Sequence, residues 1–208
     1  MLIIDTETTG LTGIPEDRVL EVGICELEEG KINPLYSEMI RYPDIVRFDS
    51  EYENPNGSKG IWIYRNSSMR IEDTLNAEKD LETVVREVRD LVSGKEVTAY
   101  NVGFDFDKFL DKEPWSLGDI VTRNIDIMEL ATDRVYELAD SDSIEDKDLQ
   151  GRLLRERAES KHPKKWVRSQ DAYSVLCPDD PMRLGRQSHR ALDDAIMESW
   201  ILKVLQEE

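Results

Sequence analysis

The sequence predicts an α/β protein built on a mixed β-sheet of about five strands flanked by helices. Three strand-like segments come first, and strands then alternate with helices, the order typical of a sheet with helices packed on it. The clearest helix covers residues 78–93, where valines and leucines recur at the spacing of one helix face and Gly94 follows. The 208 residues suffice for a core. We therefore expect a single domain over residues 1–208, with an irregular insertion at about 41–76.

Apolar and β-branched runs define the predicted strands. They cover residues 2–5, 18–27, 31–40, 96–100 and 124–127. Pro43, Pro55 and the pair Asn56-Gly57 interrupt the insertion. There we expect at most a hairpin formed by residues 44–48 and 60–65. Apolar residues at helical spacing predict the remaining helices. These cover residues 104–110, 128–138, 149–160, 170–176 and 188–205, with an acidic loop at 140–148.

The composition is that of a strongly acidic, folded protein. Asp and Glu number 45 against 27 Lys and Arg, which gives a net charge of −18 and repels polyanions at long range. The charge is uneven, because residues 151–190 (the basic segment) hold ten basic and five acidic side chains. This segment would attract a nucleic-acid strand. A solvated helix face is the alternative.

Several chemistries are excluded by what the sequence lacks. Two cysteines and two histidines are too few for a disulfide framework or a structural zinc site, so we expect Cys25 and Cys177 in the core. The chain contains no Gly-rich dinucleotide motif, no Walker motif and no GxSxG. We find no leader-like segment and no run that could span a bilayer, so we expect a cytoplasmic protein with no membrane partner.

Two acidic side chains stand at the end of the first predicted strand. Asp5 and Glu7 are two residues apart, and residues i and i+2 of a strand point to the same side. Two carboxylates on one face need a cation unless water solvates them. A surface turn with two solvated acids is the alternative for this pair taken alone.

Two further clusters bring polar side chains to the starts of helices. Asp105 follows the predicted strand 96–100 at a strand-to-helix turn, where α/β sheets place ligands, and Asn101 could brace that turn. His189 and Asp194 lie at the start of the last helix. Taken singly, Asp105 is an ordinary helix cap, and acids near a helix N-terminus are favoured by its dipole.

Together, these clusters give four carboxylates and one histidine. Oxygen-only ligand sets select Mg²⁺ or Mn²⁺, and Mg²⁺ commonly serves phosphate chemistry. A neutral histidine beside such ions is a suitable base for activating water. Two metal ions stabilise the attacking and leaving oxygens of an in-line phosphoryl displacement. The residues therefore indicate metal-dependent phosphodiester hydrolysis.

The segments IIDTETTGL, AYNVGFDFDKFL and HRALDDA resemble, in this order, the three motifs of the DEDDh (DnaQ-like) 3′→5′ exonucleases of the RNase H-like superfamily. The resemblance spans nearly the whole chain. It implies that two Mg²⁺ or Mn²⁺ ions are held by Asp5, Glu7, Asp105 and Asp194. His189 would activate the water, whereas Asp193 matches a variable position and Asp126 at most supports the ligands. The implied reaction releases nucleoside 5′-monophosphates from the 3′ end of single-stranded DNA or RNA.

The resemblance also implies residues that border the substrate. Its motifs assign this role to Thr8, Leu11, Asn101 and Phe104. In the basic segment, Lys164, Lys165 and Trp166 combine phosphate partners with a stacking ring, and we expect them to guide the strand. A structural tryptophan with solubilising charges around it is the alternative.

The sequence departs from the family pattern at one wall of the substrate site. Many relatives carry a His-Gly-Ile segment before the long helix, and no such triplet occurs here. Trp62 or Tyr64 could replace it by stacking. Two other functions stay open, namely a proofreading subunit assembled with a DNA polymerase and a catalytically silent nucleic-acid-binding module. A homodimer also stays open, because related enzymes include dimers.

Overall fold

The computed structural model describes residues 1–178 and 188–207, which contain a mixed six-stranded sheet flanked by helices. Its strands are Leu2–Thr8 (β1), Val19–Glu28 (β2), Lys31–Arg41 (β3), Lys79–Asp80 (β4), Glu96–Thr98 (β5) and Thr122–Arg123 (β6). Their order is β4-β3-β2-β1-β5-β6. β1, β2 and β3 form an antiparallel meander, whereas β5 and β6 continue the sheet parallel to β1. The predicted α/β class is confirmed, and no helix in these ranges could cross a membrane.

The short strands differ from the prediction. β4 pairs in parallel with the end of β3 over two residues and adds a strand to the expected five. The strand predicted at 124–127 is wrong, because β6 ends at Arg123 and a helix begins at Ile127. Asp126 caps that helix by accepting a hydrogen bond from the backbone N–H of Met128 at 2.8 Å. The strand predicted over 96–100 ends at Thr98.

Helices cover both faces of the sheet. The α-helices of the described residues are Ile45–Glu51 (α1), Ile63–Asn66 (α2), Ile71–Leu75 (α3), Leu81–Val92 (α4), Ile127–Asp140 (α5), Lys147–Glu159 (α6), Ser169–Leu176 (α7) and Ala191–Glu207 (α8). The segment predicted to begin a helix at Phe104 is a π-helix, Gly103–Leu110. Such wide turns are rare and occur often at functional sites.

β1 separates two hydrophobic cores. Ile3 packs with buried residues of α5, α7 and α8, whereas Ile4 packs with α4 and the π-helix. Both cysteines, Cys25 and Cys177, are unpaired and buried in the first of these cores. With apolar layers on both faces, β1 is held from two sides, so the side chains at its end have fixed positions.

The insertion contains three helices, and the hairpin expected within it is wrong. Residues 45–51 form α1 and residues 63–66 form α2. Ile45, Phe48 and Tyr52 recur every three or four residues and face a third core that includes Leu20 of β2. This helical spacing of apolar side chains outweighs the proline and glycine signals on which the hairpin prediction depended.

Candidate metal and nucleotide site

The end of β1 presents Asp5 and Glu7 to one cleft. In the β1–β2 pair, Asp5 lies opposite Gly23 and Glu7 lies opposite Glu21. A shift of register follows Glu7, at the last residue of β1. The two carboxylates predicted from their i, i+2 spacing therefore share one side of the strand, at the edge where the chain leaves the sheet.

The π-helix brings Asp105 to the same place. Its carboxylate is 5% exposed and accepts hydrogen bonds from the backbone N–H of Thr6 at 3.1 Å and from the Thr6 hydroxyl at 2.7 Å. Asp126 accepts a hydrogen bond from the backbone N–H of Val102 at 2.9 Å. Because it also caps α5, Asp126 fixes the turn that precedes Asp105.

The start of α8 supplies the third cluster. Ser188 donates a backbone hydrogen bond to Asp194, whose side chain is 1% exposed. Ligand atoms of Glu7, His189 and Asp194 all lie within 4.8 Å of one another. His189 has a positive φ of 54°, an uncommon conformation for a residue other than glycine. The turn before α8 is thus bent so that the imidazole meets the carboxylates.

Two residues of β2 fix this helix against the sheet. Glu21 is 1% exposed, and its carboxylate accepts hydrogen bonds from the Arg190 guanidinium at 2.7 Å and from the backbone N–H of Ala191 at 3.1 Å. Gly23 lets the helix approach closely, because a Cβ there would collide with the backbone of Ala191 and Leu192. The position of Asp194 therefore depends on β2.

The substitution Gly23→Ala is expected to destabilise the protein by about 1–3 kcal/mol, the usual cost of overpacking a close contact. The added methyl group must displace the first turn of α8 or bend β2. The free energy of unfolding in urea measures the effect. Gly151→Ala in α6 is the control, since a Cβ there meets no atom closer than 3.5 Å. Equal stability of the two variants would contradict the argument.

Burial and mutual repulsion perturb the ionisation of these groups. Burial raises the pKa of Asp5 well above its ordinary value, and the carboxylates of Glu198 and Glu7 add to the shift. Burial raises the pKa of Asp105 to about 7, although the bonds from Thr6 oppose the shift. Burial lowers the pKa of His189. At pH 7 the imidazole is therefore neutral and the acids would be stabilised by a cation.

Glu198 belongs to this site and is missed by the sequence analysis. It is 3% exposed, lines the cleft beside Asp5 and Asp105, and has a pKa raised by burial and by the charges of Asp105 and Asp194. The available signal was its spacing, since Glu198 follows Asp194 by one helical turn on α8 and so shares its face.

The cleft has a volume of about 570 Å³ and is lined by several separate parts of the chain. Thr8 at the end of β1 and Leu11 beyond it line the cleft, as do Asn101 just before the π-helix and Phe104 within it. The Leu11 side chain is 67% exposed. All four residues implied to border a substrate therefore lie along one groove.

The insertion forms the opposite wall. Asn54, Pro55, Asn56, Trp62 and Ile63 line the cleft. The Trp62 side chain is 49% exposed and meets the His189 ring edge to face, with 5.3 Å between ring centroids. Tyr64, the alternative stacking residue, donates a hydrogen bond to Thr74 at 2.7 Å and packs in the third core.

The described residues that line this cleft do not include Lys164, Lys165 or Trp166. Lys164 pairs with Asp133 at 2.6 Å, and Lys165 lies 3.8 Å from Glu156. The Lys164 ammonium also sits 4.7 Å from the centroid of the Trp166 ring, which is 42% exposed. The positive charge of these lysines is partly neutralised by neighbouring acids.

No protein-family model matches the chain, and no curated protein matches it. Among solved structures, the chain is similar to exonuclease X in complex with 5′-overhanging duplex DNA. The two share 18% identity with a TM-score of 0.50, over 99% of this chain and 90% of that chain. At this identity the similarity shows the fold, and it agrees with the RNase H-like class expected from the motifs.

Proposed function

We propose that this protein is a metal-dependent 3′→5′ exonuclease that releases nucleoside 5′-monophosphates from single-stranded DNA or RNA. The observation that carries the proposal is the convergence of Asp5, Glu7, Asp105 and His189 on one cleft, with a carboxylate oxygen of Asp194 within 4.8 Å of ligand atoms of Glu7 and His189. They come from three separate parts of the chain, namely β1, the π-helix and α8. A purely structural role would not require four acids to be gathered where each raises the cost of ionising the others.

The donor set fits Mg²⁺ or Mn²⁺. Carboxylate oxygens are the ligands that these ions select, and Asp5 Oδ2 is buried with no hydrogen-bond partner among the described residues. We propose that Asp5, Glu7, Asp105 and Asp194 hold two such ions. Bound there, the ions would stabilise the attacking and leaving oxygens of an in-line displacement at phosphorus.

We assign the role of general base to His189. Its imidazole is neutral at pH 7 because burial lowers its pKa, so one ring nitrogen is free to accept the proton of the attacking water. Its place beside Glu7 and Asp194 puts that nitrogen at the edge of the carboxylate cluster. The strained backbone at this residue keeps the ring in the cleft.

The walls of the cleft suit a terminal nucleotide. Leu11, Phe104 and the exposed Trp62 offer apolar and aromatic surfaces against which a base can stack. The similar structure of exonuclease X holds DNA, which supports a nucleic-acid substrate for this chain. We propose that Trp62, rather than Tyr64, supplies the stacking surface in the absence of the His-Gly-Ile segment, because its exposed ring lines the cleft.

A gel assay tests the proposal. Single-stranded DNA and RNA oligomers labelled at the 5′ end are incubated with Mg²⁺, Mn²⁺ or EDTA, with wild type beside Asp5→Asn. We expect a ladder that shortens from the 3′ end, needs the metal and is absent in the variant. Strand binding without cleavage would favour the silent binding module. Cleavage that appears only with a co-purifying polymerase would favour the proofreading subunit.

The variant Lys164→Ala/Lys165→Ala tests whether the basic segment guides the strand. If both lysines contact phosphates, the plot of the logarithm of the binding constant against log salt concentration should become less steep in the variant. The magnitude of its slope should decrease by about 1.4, roughly 0.7 per phosphate contact on a single strand. Strand binding measured by anisotropy from low to moderate salt gives this slope. Lys95→Ala is the control, because Lys95 precedes β5 at the end of the sheet remote from the cleft. An unchanged slope would leave these lysines with a solubilising role.

A further inference from the structure

Glu198 is a buried acid that none of the assigned roles uses. Its side chain is 3% exposed and lies in the wall of the cleft. One of its carboxylate oxygens, Oε2, is buried and has no hydrogen-bond partner among the described residues. A buried polar atom without a partner loses its hydration and gains nothing in exchange, so this oxygen requires an explanation.

The surroundings of Glu198 are acidic. Among the neighbouring charges, those of Asp105 and Asp194 raise the pKa of Glu198 most. The charge of Glu198 in turn raises the pKa of Asp5 more than the charge of Glu7 does. The backbone amide of Tyr100 opposes the shift, but burial outweighs it. The carboxylate therefore stands among the proposed metal ligands, on the same face of α8 as Asp194.

Packing alone does not account for an acid at this position. An apolar side chain of similar size would fill the same space without desolvating a charge, and such replacements of buried ionic groups are often neutral or stabilising. The cation already inferred for the neighbouring acids would satisfy the unpartnered oxygens of both Glu198 and Asp5. One cause then explains both atoms.

We propose that Glu198 is a fifth carboxylate of the metal centre and ligates a divalent cation together with Asp5. This inference rests on the proposed function, since it assumes that the other four acids bind metal. The number of charged ligands sets the affinity of oxygen sites for such cations. Glu198 therefore raises the affinity of the centre for divalent cations above that of the four motif residues alone.

Titration calorimetry of the metal-stripped protein with Mn²⁺ tests the proposal. Glu198→Gln keeps the shape of the side chain and removes its charge, and we expect Mn²⁺ affinity to fall roughly 10–100-fold, the range reported for perturbing the surroundings of a metal site. Asp193→Asn removes the same charge from the exposed side of α8 and should change affinity by no more than about twofold. Asp5→Asn serves as the variant with a disrupted centre.

The thermal midpoint of the metal-free proteins gives a second measurement. Without metal, Glu198→Gln and Glu198→Met should be at least as stable as wild type, because they remove the repulsion between Glu198 and the neighbouring carboxylates. With Mn²⁺, the thermal midpoint of both variants should rise less than that of wild type. If both Glu198 variants bind Mn²⁺ like wild type while Asp5→Asn does not, Glu198 is no ligand and the proposed centre stands. If wild type itself binds no Mn²⁺, the centre and this inference fall together.

Discussion

Asp5→Asn is expected to lower the hydrolysis rate by about 10³-fold or more while strand binding persists. The proposed ions stabilise charge that develops in the transition state, an effect worth several kcal/mol, and about 1.4 kcal/mol corresponds to tenfold in rate. Binding persists because the groove along Thr8, Leu11, Asn101 and Phe104 is unchanged. Single-turnover cleavage of a labelled oligomer gives the rate, and fluorescence anisotropy gives the affinity.

The same variant should be more stable than wild type without metal. Burial raises the pKa of Asp5 above its ordinary value of 3.8. Between the pKa of Asp5 in the unfolded chain and its raised pKa in the folded protein, the folded protein retains a proton that the unfolded chain has released. Wild-type stability therefore falls as the pH rises through this range. Asparagine removes this slope, so its advantage should grow from about pH 4 towards neutrality. An advantage that shrinks with rising pH, or full activity of the variant, would contradict this account of the site.

Much of the fold could be predicted because local patterns agree with the final packing. β1 and β2 are apolar runs and α4 has apolar residues at helical spacing, and these residues face the cores found. β4 and β6 cover two residues each. Such short strands exist only through pairing with a neighbour, for which two residues of sequence hold no local signal.

The candidate site shows a similar division. Asp5, Glu7, Asp105, His189 and Asp194 occur in recognisable segments, so the sequence could group them before their contacts were known. Glu198 lies outside those segments, and its importance depends on burial beside residues distant in sequence. Only the folded chain reveals that α8 brings two acids, Asp194 and Glu198, to one cluster of carboxylates.

The insertion and the basic segment show the limits of composition. Proline and glycine suggested irregular structure for residues 41–76, yet the helical spacing of a few apolar residues produces α1. The contact of Trp62 with His189 is a tertiary contact that no local pattern signals. A count of charges marked residues 151–190 as basic, but it could not show that Lys164 pairs with Asp133. Tertiary contacts decide whether a charge is available to a ligand.

His189→Ala is expected to lower the rate by roughly 10²–10⁴-fold, the contribution of one general base. Its effect should fall on kcat, with little change in KM, because the base acts only as the proton moves. Steady-state kinetics on a short oligomer separate the two parameters. Mn²⁺ binding should survive in this variant and fail in Asp5→Asn, which distinguishes a proton acceptor from a metal ligand.

The matched control is His162→Ala, since His162 is the other histidine of the chain and is exposed. It should leave kcat and KM unchanged. Glu7, His189 and Asp194 approach closely enough that His189 could instead ligate a cation. In that case, His189→Ala would lose Mn²⁺ affinity together with kcat. If His189→Ala keeps its Mn²⁺ affinity but loses kcat, the role of His189 is proton transfer. That role accounts for a neutral imidazole that a strained backbone holds beside the carboxylates.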